Sequence, residues 1–348
     1  MPNLFDNLKT SSNLIIDAFA LDFDYLPKLI QFREQEQKYI ADCIKPLFNN
    51  STGKNILVTG KPGIGKSAAV RFVLRELEEK GLNDKVIPIY VNCWKHNSEH
   101  KVLLEICNII DYKFTHNKTT TELIQIIAKI INQKAAVICL DEIDKLENNS
   151  ILYNLIEDIY KKTIILITNQ ENFLTTLDKR IYSRLMPETI NFKHYNYEET
   201  KEILLKRIDL AFNKNVIEQE AFEEIAAKSS FNKDIRVGLT LLKDSANISS
   251  LSNQHRITKE HALEAINRLF PEEIKHLDME EQIIGLLKEN KELSANDIFN
   301  KIDEKDIGPR QLARVLTKLK EKDIISTKTM FKGRGGNIPL YSLKQTTL

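Results

Sequence analysis

Short, nearly continuous apolar runs occupy residues 55–59, 86–91, 135–140 and 163–168. Between them, apolar positions recur at helical spacing over 67–79, 101–111, 121–132 and 151–160. A further helix is expected from Phe32-Arg33-Glu34-Gln35-Glu36 to about Cys43, followed by a turn-rich connector through Asn49-Asn50-Ser51-Thr52-Gly53. Continuous apolar strands separated by helices predict an α/β domain whose parallel sheet is covered on both faces. After Phe192 the pattern changes: 198–212, 218–228, 234–248 and 258–270 read as four amphipathic helices with no strand between them. Pro271-Glu272-Glu273 marks a linker. From about Asp278 the order expected is helix, helix, helix, strand, turn, strand, the last part a β-hairpin with a basic, glycine-rich tip at 332–337. The domain boundaries expected are an N-terminal arm at 1–24, a core at 25–191, a helical lid at 192–270, a linker at 271–277 and a C-terminal domain at 278–348.

Composition changes this picture little. At 348 residues the chain has length for two or three domains, and 50 Lys and Arg against 49 Asp and Glu give +1, so only the distribution of charge can speak for nucleic acid. Cys43, Cys93, Cys107 and Cys139 form no C-x-x-C pair and sit among apolar neighbours, as reduced buried thiols do. The seven histidines show no metal-ligand spacing. No apolar run approaches the ~20 residues of a membrane span, and no early segment resembles a signal peptide. The expectation is a cytoplasmic protein with no membrane partner.

The candidate chemistry starts at Gly60-Lys61-Pro62-Gly63-Ile64-Gly65-Lys66-Ser67, which fits G-x-x-x-x-G-K-[ST] between an expected strand and an expected helix. Glycines let the backbone N–H groups of residues 63–67 turn inward around phosphate oxygens at the positive end of a helix. Lys66 supplies a charge for the β- and γ-phosphates, and the Ser67 hydroxyl is a natural Mg²⁺ ligand. Gly60, Pro62, Gly63, Ile64, Gly65, Lys66, Ser67 and Ala68 are therefore the expected contacts for ATP or ADP. The third apolar run ends in Asp141-Glu142-Ile143-Asp144. An acidic pair at the carboxyl end of a parallel strand belongs beside Mg²⁺ and the attacking water, Asp141 with the metal and Glu142 with the water. The plainer alternative is acids that cap the following turn, and it suits Asp144 best. Asn169, ending the fourth run, would reach the γ-phosphate or the water, though loop asparagines are also common turn formers. Arg180 or Arg184 could stabilise phosphoryl charge in cis or across a subunit boundary, or could simply be solvated. Arg236, opening a lid helix, could swing onto the γ-phosphate.

These pieces together resemble the AAA+ superfamily, and several stretches resemble its origin-recognition/replication-initiator family of archaea and eukaryotes. Asp24-Tyr25-Leu26-Pro27 followed by Phe32-Arg33-Glu34-Gln35 is similar to that family's N-terminal nucleotide-contacting box, which implies Tyr25, Pro27 and Arg33 as nucleotide contacts. Tyr90-Val91-Asn92-Cys93 matches its second core strand. Thr168-Asn169 and Leu177-Asp178-Lys179-Arg180-Ile181-Tyr182-Ser183 resemble its sensor asparagine and its arginine-bearing box. Lys233-Asp234-Ile235-Arg236 through Leu241-Leu242 resembles its second sensor helix. The sequence departs from the family at Lys233, at Val237-Gly238, and at Ile64 and Ser67, where Thr is commoner in the loop. The resemblance spans nearly the whole chain and implies an AAA+ core with an all-α lid and a C-terminal winged helix. It also implies slow ATP hydrolysis, recognition of double-stranded origin DNA, and recruitment of the replicative helicase beside other initiator subunits, in association with the nucleoid. It places a DNA-touching helix somewhere within 95–101.

Charge in the last domain is polarised. Residues 278–307 carry four basic and nine acidic residues, whereas 308–348 carry nine basic and two acidic. Arg310, Arg314 and Lys318 fall at i, i+4 and i+8, on one helix face, with Leu312, Val315, Leu316 and Leu319 on the other. With Lys332 and Arg334 at the hairpin tip, they are the expected DNA contacts. A solvated helix in a protein-binding domain is the alternative. For the whole chain, the other readings are a winged-helix AAA+ DNA motor of branch-migration or clamp-loading type, and a STAND-type signalling ATPase that does not bind DNA.

Overall fold

The structure, a computed structural model, describes residues 14–302, 309–331 and 337–344. It divides into a unit ending at Leu263 and a unit from Glu264.

The first unit is built on five parallel strands: β1 (Ile56–Thr59), β2 (Val86–Asn92), β3 (Ala135–Asp141), β4 (Lys162–Ile167) and β5 (Glu188–Asn191), in the order β2-β3-β4-β1-β5. Side chains alternate across such a sheet with period two. Leu57, Ile89, Val91, Ile138, Leu140, Ile164 and Leu166 enter one apolar cluster, which the helices α3 (Glu99–Ile109), α4 (Thr120–Ile131), α5 (Ser150–Asp158) and α6 (Lys179–Leu185) cover. Ile56, Val58, Val137, Cys139, Ile165 and Ile167 enter the other, which α1 (Glu34–Ile44) and α2 (Lys66–Glu79) cover. Both faces are dry, so the central strands are apolar throughout. All four cysteines are buried and free. β5 has no counterpart in the sequence reading. Its residues alternate between half-buried and exposed, as an edge strand permits, and its pairing with β1 sets Ile56 opposite Glu188.

Four helices follow: α7 (Tyr197–Ala211), α8 (Gln219–Asn232), α9 (Ile235–Leu251) and α10 (Lys259–Leu269). Asn196 and Glu199 form a capping box that starts α7, satisfying two N–H groups left free at the helix end. The arm, described from Leu14 onward, packs on these helices rather than on the sheet. Ile15 bridges Phe212, the Ile16 N–H donates to the Ala211 carbonyl at 2.7 Å, and a 3-10 turn at Ala18–Leu21 buries Ala20 and Leu21.

The second unit contains α11 (Pro271–Glu289), β6 (Leu293–Ser294), α12 (Ala295–Lys301), α13 (Pro309–Glu321), β7 (Ile325–Phe331) and β8 (Asn337–Leu343). Its antiparallel sheet runs β6-β8-β7, and Met279, Ile283, Leu287, Ile298, Leu312, Val315, Leu316, Leu319 and Ile325 make a separate core. The stretch 271–277, expected as a linker, lies within α11: proline at the first turn starts a helix instead of interrupting one. Lys332 and Arg334 lie outside the described residues. Among the described residues no helix is long and apolar enough to cross a membrane.

Candidate nucleotide site

The loop between β1 and α2 wraps the N-terminus of α2. Gly63 and Gly65 have φ of 71° and 87°, where an L side chain is strained, and each is pressed by a neighbour. A Cβ on Gly65 would lie 2.5 Å from the Tyr195 hydroxyl, and one on Gly63 would lie 1.8 Å from a carboxylate oxygen of Asp234. Behind the loop, the buried Arg33 guanidinium donates through Nε and Nη2 to the Ile64 carbonyl at 3.2 and 3.0 Å. Its Nη2 also donates to the Lys193 carbonyl at 2.6 Å, and the guanidinium lies 4.0 Å over the Tyr195 ring. Arg33, expected to contact nucleotide, thus holds the loop from behind. Its donors are taken by carbonyls and by the Glu36 carboxylate, which pairs with Nη1 at 3.2 Å, and it is absent from the cavity wall.

In front of the loop is a cavity of about 580 Å³. Pro62, Gly63, Gly65, Lys66, Ser67 and Ala68 line one side, Asp141, Glu142 and Asn169 the strand ends, and Ile235, Arg236 and Leu239 the lid. Tyr25 and Pro27 belong to a segment, 23–31, that closes the remaining side. Gly60 and Ile64 shape the loop from outside the cavity: the Gly60 carbonyl accepts from Lys66, and the Ile64 side chain is buried.

Lys66 Nζ donates to the carbonyls of Gly60 and Lys61 and to Asn169 Oδ1, each at 2.7 Å. The first cause acting on its pKa is burial, which pushes the ammonium down to about 8. Asp141 is buried. Its Oδ2 accepts from the Tyr90 hydroxyl at 2.5 Å, and its Oδ1 accepts from the Glu142 N–H at 2.8 Å. Burial, reinforced by Asp141 and Asp144, raises the pKa of Glu142. Asp144 does structural work instead, accepting from Thr168 Oγ1 at 2.7 Å and pairing with Lys145 at 3.3 Å.

Arg236 faces the cavity, yet it is not free. Its Nη2 pairs with Asp234 Oδ2 at 2.7 Å and its Nε donates to the same carboxylate at 3.0 Å. Arg180 and Arg184 are not brought to the cavity. Arg180 is exposed on α6, and Arg184 pairs with Glu157 and lies over the Tyr153 ring.

Among the cavity residues that the sequence reading did not assign to the site are Arg71, Tyr90 and Arg207. Arg71 stands one helical turn beyond Ser67 on the same face of α2, a spacing that could have revealed it. Tyr90 was quoted in the strand without its bond to Asp141. Arg207 gave no signal. It lies mid-helix in α7, donates to the Ala20 and Tyr25 carbonyls at 3.0 and 3.3 Å, and sits 4.6 Å over the Tyr25 ring.

The buried ammonium and the glycine-bearing loop at the start of α2, facing one cavity, are features that suit a nucleoside polyphosphate. Profile comparison matches an AAA domain to residues 49–177 and a Cdc6 AAA+ ATPase-type lid domain to residues 201–267. The chain belongs to the AAA+ proteins of Orc/Cdc6 type. This Orc/Cdc6-type chain is 28% identical to the ORC1-type DNA replication protein of Pyrococcus horikoshii, over 99% of this chain and 91% of that one. It is equally identical to ORC1-type DNA replication protein 1 of Sulfurisphaera tokodaii, over 90% and 86%. The Aeropyrum pernix ORC1 protein, solved in complex with DNA, shares its fold with a TM-score of 0.66 and 23% identity, covering 95% of this chain and 94% of that one. Cdc6p from Pyrobaculum aerophilum shares it with a TM-score of 0.67 and 18% identity, at the same coverage.

Proposed function

We propose that this protein is an ATP-dependent, DNA-binding replication initiator. The observation that carries the reading is the single cavity where the phosphate loop, the Asp141-Glu142 pair, Asn169 and the lid arginine Arg236 meet. Backbone N–H groups of residues 63–67 and the Lys66 ammonium would take the phosphates, and Tyr25 and Pro27 the side of the base. Ser67 and Asp141 would hold Mg²⁺, which would neutralise charge on the triphosphate. Tyr90 fixes the Asp141 carboxylate by a hydrogen bond. Glu142 is suited to accept a proton from water, since burial and its acidic neighbours raise its pKa. Asn169, now held by Lys66, would orient that water once phosphate takes the ammonium over. Arg180, exposed and outside its own cavity, suits a neighbouring subunit's site. Hydrolysis is expected to be slow, with ATP binding as the switch that changes the grip on DNA and the recruitment of the helicase.

The DNA reading rests on the second unit as a winged helix. On α13, Arg310 and Arg314 are exposed and without an ion-pair partner among the described residues, opposite the buried Leu312, Val315, Leu316 and Leu319. Lys318 is less available than expected: its Nζ pairs with the buried Glu280 at 3.1 Å, as does Lys322 at 2.6 Å. The relative solved with DNA supports this reading.

The test is duplex binding by fluorescence anisotropy across a salt series, with ATP and with ADP, for intact protein and an Arg310→Ala/Arg314→Ala/Arg334→Ala variant. The expected result is affinity that falls steeply with salt, with a slope reduced by about 0.9 for each phosphate contact removed. Absence of binding even at low salt would sink the initiator reading and leave a nucleotide switch acting on proteins.

A further inference from the structure

Asp234 serves two roles with one carboxylate. As the residue before α9, it accepts the Arg236 backbone N–H at 2.9 Å through Oδ1 and so caps the helix. The same group grips the Arg236 guanidinium with two oxygens, at 3.0 and 3.2 Å to Nε and 2.7 Å to Nη2. It also rests against the phosphate loop. A Cβ on Gly63 would touch both carboxylate oxygens, at 1.8 and 2.6 Å, and the neighbouring Ile235 N–H donates to the Gly63 carbonyl at 3.2 Å. The acid that engages the lid arginine is therefore seated on the loop that would receive the phosphates.

We propose that Asp234 tunes the affinity of the site for a nucleoside triphosphate: it holds Arg236 in an ion pair that the additional terminal phosphate must break, and a diphosphate leaves that pair intact. The inference rests on the nucleotide reading above. A guanidinium in a bidentate carboxylate pair can pass to a terminal phosphate that reaches it, which offers the same forked geometry with more charge. The triphosphate differs from the diphosphate by that additional phosphoryl group. The pair is half-exposed, with side-chain exposures of 45% for Arg236 and 21% for Asp234, so its hold is modest and can be broken by a ligand.

The capping and pairing roles can be separated, because Asn and Ser cap a helix about as well as Asp but carry no charge. The experiment is titration calorimetry of the full chain with ADP and with the non-hydrolysable β,γ-imido analogue of ATP. The proteins are wild type, Asp234→Asn, Asp234→Ser, Arg236→Ala and the Asp234→Asn/Arg236→Ala double variant, each checked for an unchanged melting profile. Asp234→Asn and Asp234→Ser are expected to bind the triphosphate analogue roughly fivefold more tightly, the scale of a half-exposed ion pair. ADP affinity should stay within a factor of about two, and the gain should vanish in the Arg236→Ala background. An equal gain for ADP, or a gain that persists without Arg236, would mean that Asp234 only adds negative charge near the loop. No gain, or weaker binding, would mean that it only caps α9. Any of these overturns the proposal. Failure of wild type to bind either nucleotide would instead remove the nucleotide reading itself.

Discussion

Lys66 is an ammonium whose hydrogen bonds all go to neutral oxygens: two carbonyls of its own loop and the Asn169 amide. With no carboxylate paired to it, burial brings its pKa to about 8, whereas the unfolded chain keeps the usual value of 10.5. A bound polyphosphate would raise the value again, so binding takes up protons from about pH 8 upward, and affinity is expected to decline as pH rises through that window. Calorimetry at pH 8.5 in two buffers of different ionisation enthalpy should register an uptake approaching one proton per site. An uptake of zero would contradict the depressed pKa. The sign for stability follows the same rule. Between about 8 and 10.5 the unfolded chain binds the extra proton, so the nucleotide-free fold gains stability from this group as pH rises. A second residue-scale prediction concerns Gly63. Alanine there meets both the left-handed backbone and the Asp234 carboxylate, a strain of about 1–3 kcal/mol that should cost roughly tenfold or more in nucleotide affinity. If the contact is the cause, adding Asp234→Ala should recover part of the loss in the same binding assay. At this scale the loop was legible because its backbone demands particular residue types at a fixed spacing. Arg207 was not, and Arg33 was named through the resemblance but for a different role, since a guanidinium bound to distant carbonyls leaves little local pattern.

Among the elements, α13 shows how sequence charge overstates surface charge. Nine basic residues follow position 308, yet Lys318 and Lys322 are tied to Glu280, Lys328 to Glu292 and Lys344 to Asp323. If the helix reads DNA, Arg314→Ala should lower the salt slope by about 1, and Lys318→Ala should lower it by less. Equal slopes for the two variants would argue that the Glu280 pair opens on the duplex. The heptad-like stripe of α13 and the apolar runs of β1 to β4 were readable because burial on a fixed face forces a period. β5 was unreadable for the complementary reason. At an edge, its four residues are half-covered, and its charged members are used locally: Glu188 binds Tyr39 and pairs with Lys54 at 2.7 Å. The two-residue β6 is shorter than any pattern.

The molecule as a whole carries two kinds of stability. The unit with the cavity is linked to ligand, and the unit from Glu264 has its own core. ATP at about 100 times its dissociation constant should therefore add roughly 2.7 kcal/mol to the first unit alone. Scanning calorimetry with and without nucleotide should move one transition and leave the other in place. Domain order was legible from the change in hydrophobic period near residue 192, but the seat of the arm was not, because its partners are nearly two hundred positions away in sequence. That seat has a mechanical consequence. The chain rests on the lid through residues 14–22, then crosses to the core, where Arg75 of α2 donates to the carbonyls of Leu26, Pro27 and Lys28. It returns to the lid once more between Asn191 and Tyr197. Two covalent connections therefore join the lid to the core, one through 22–26 and one through 192–196, so any displacement of the lid must be absorbed by backbone rotation in both.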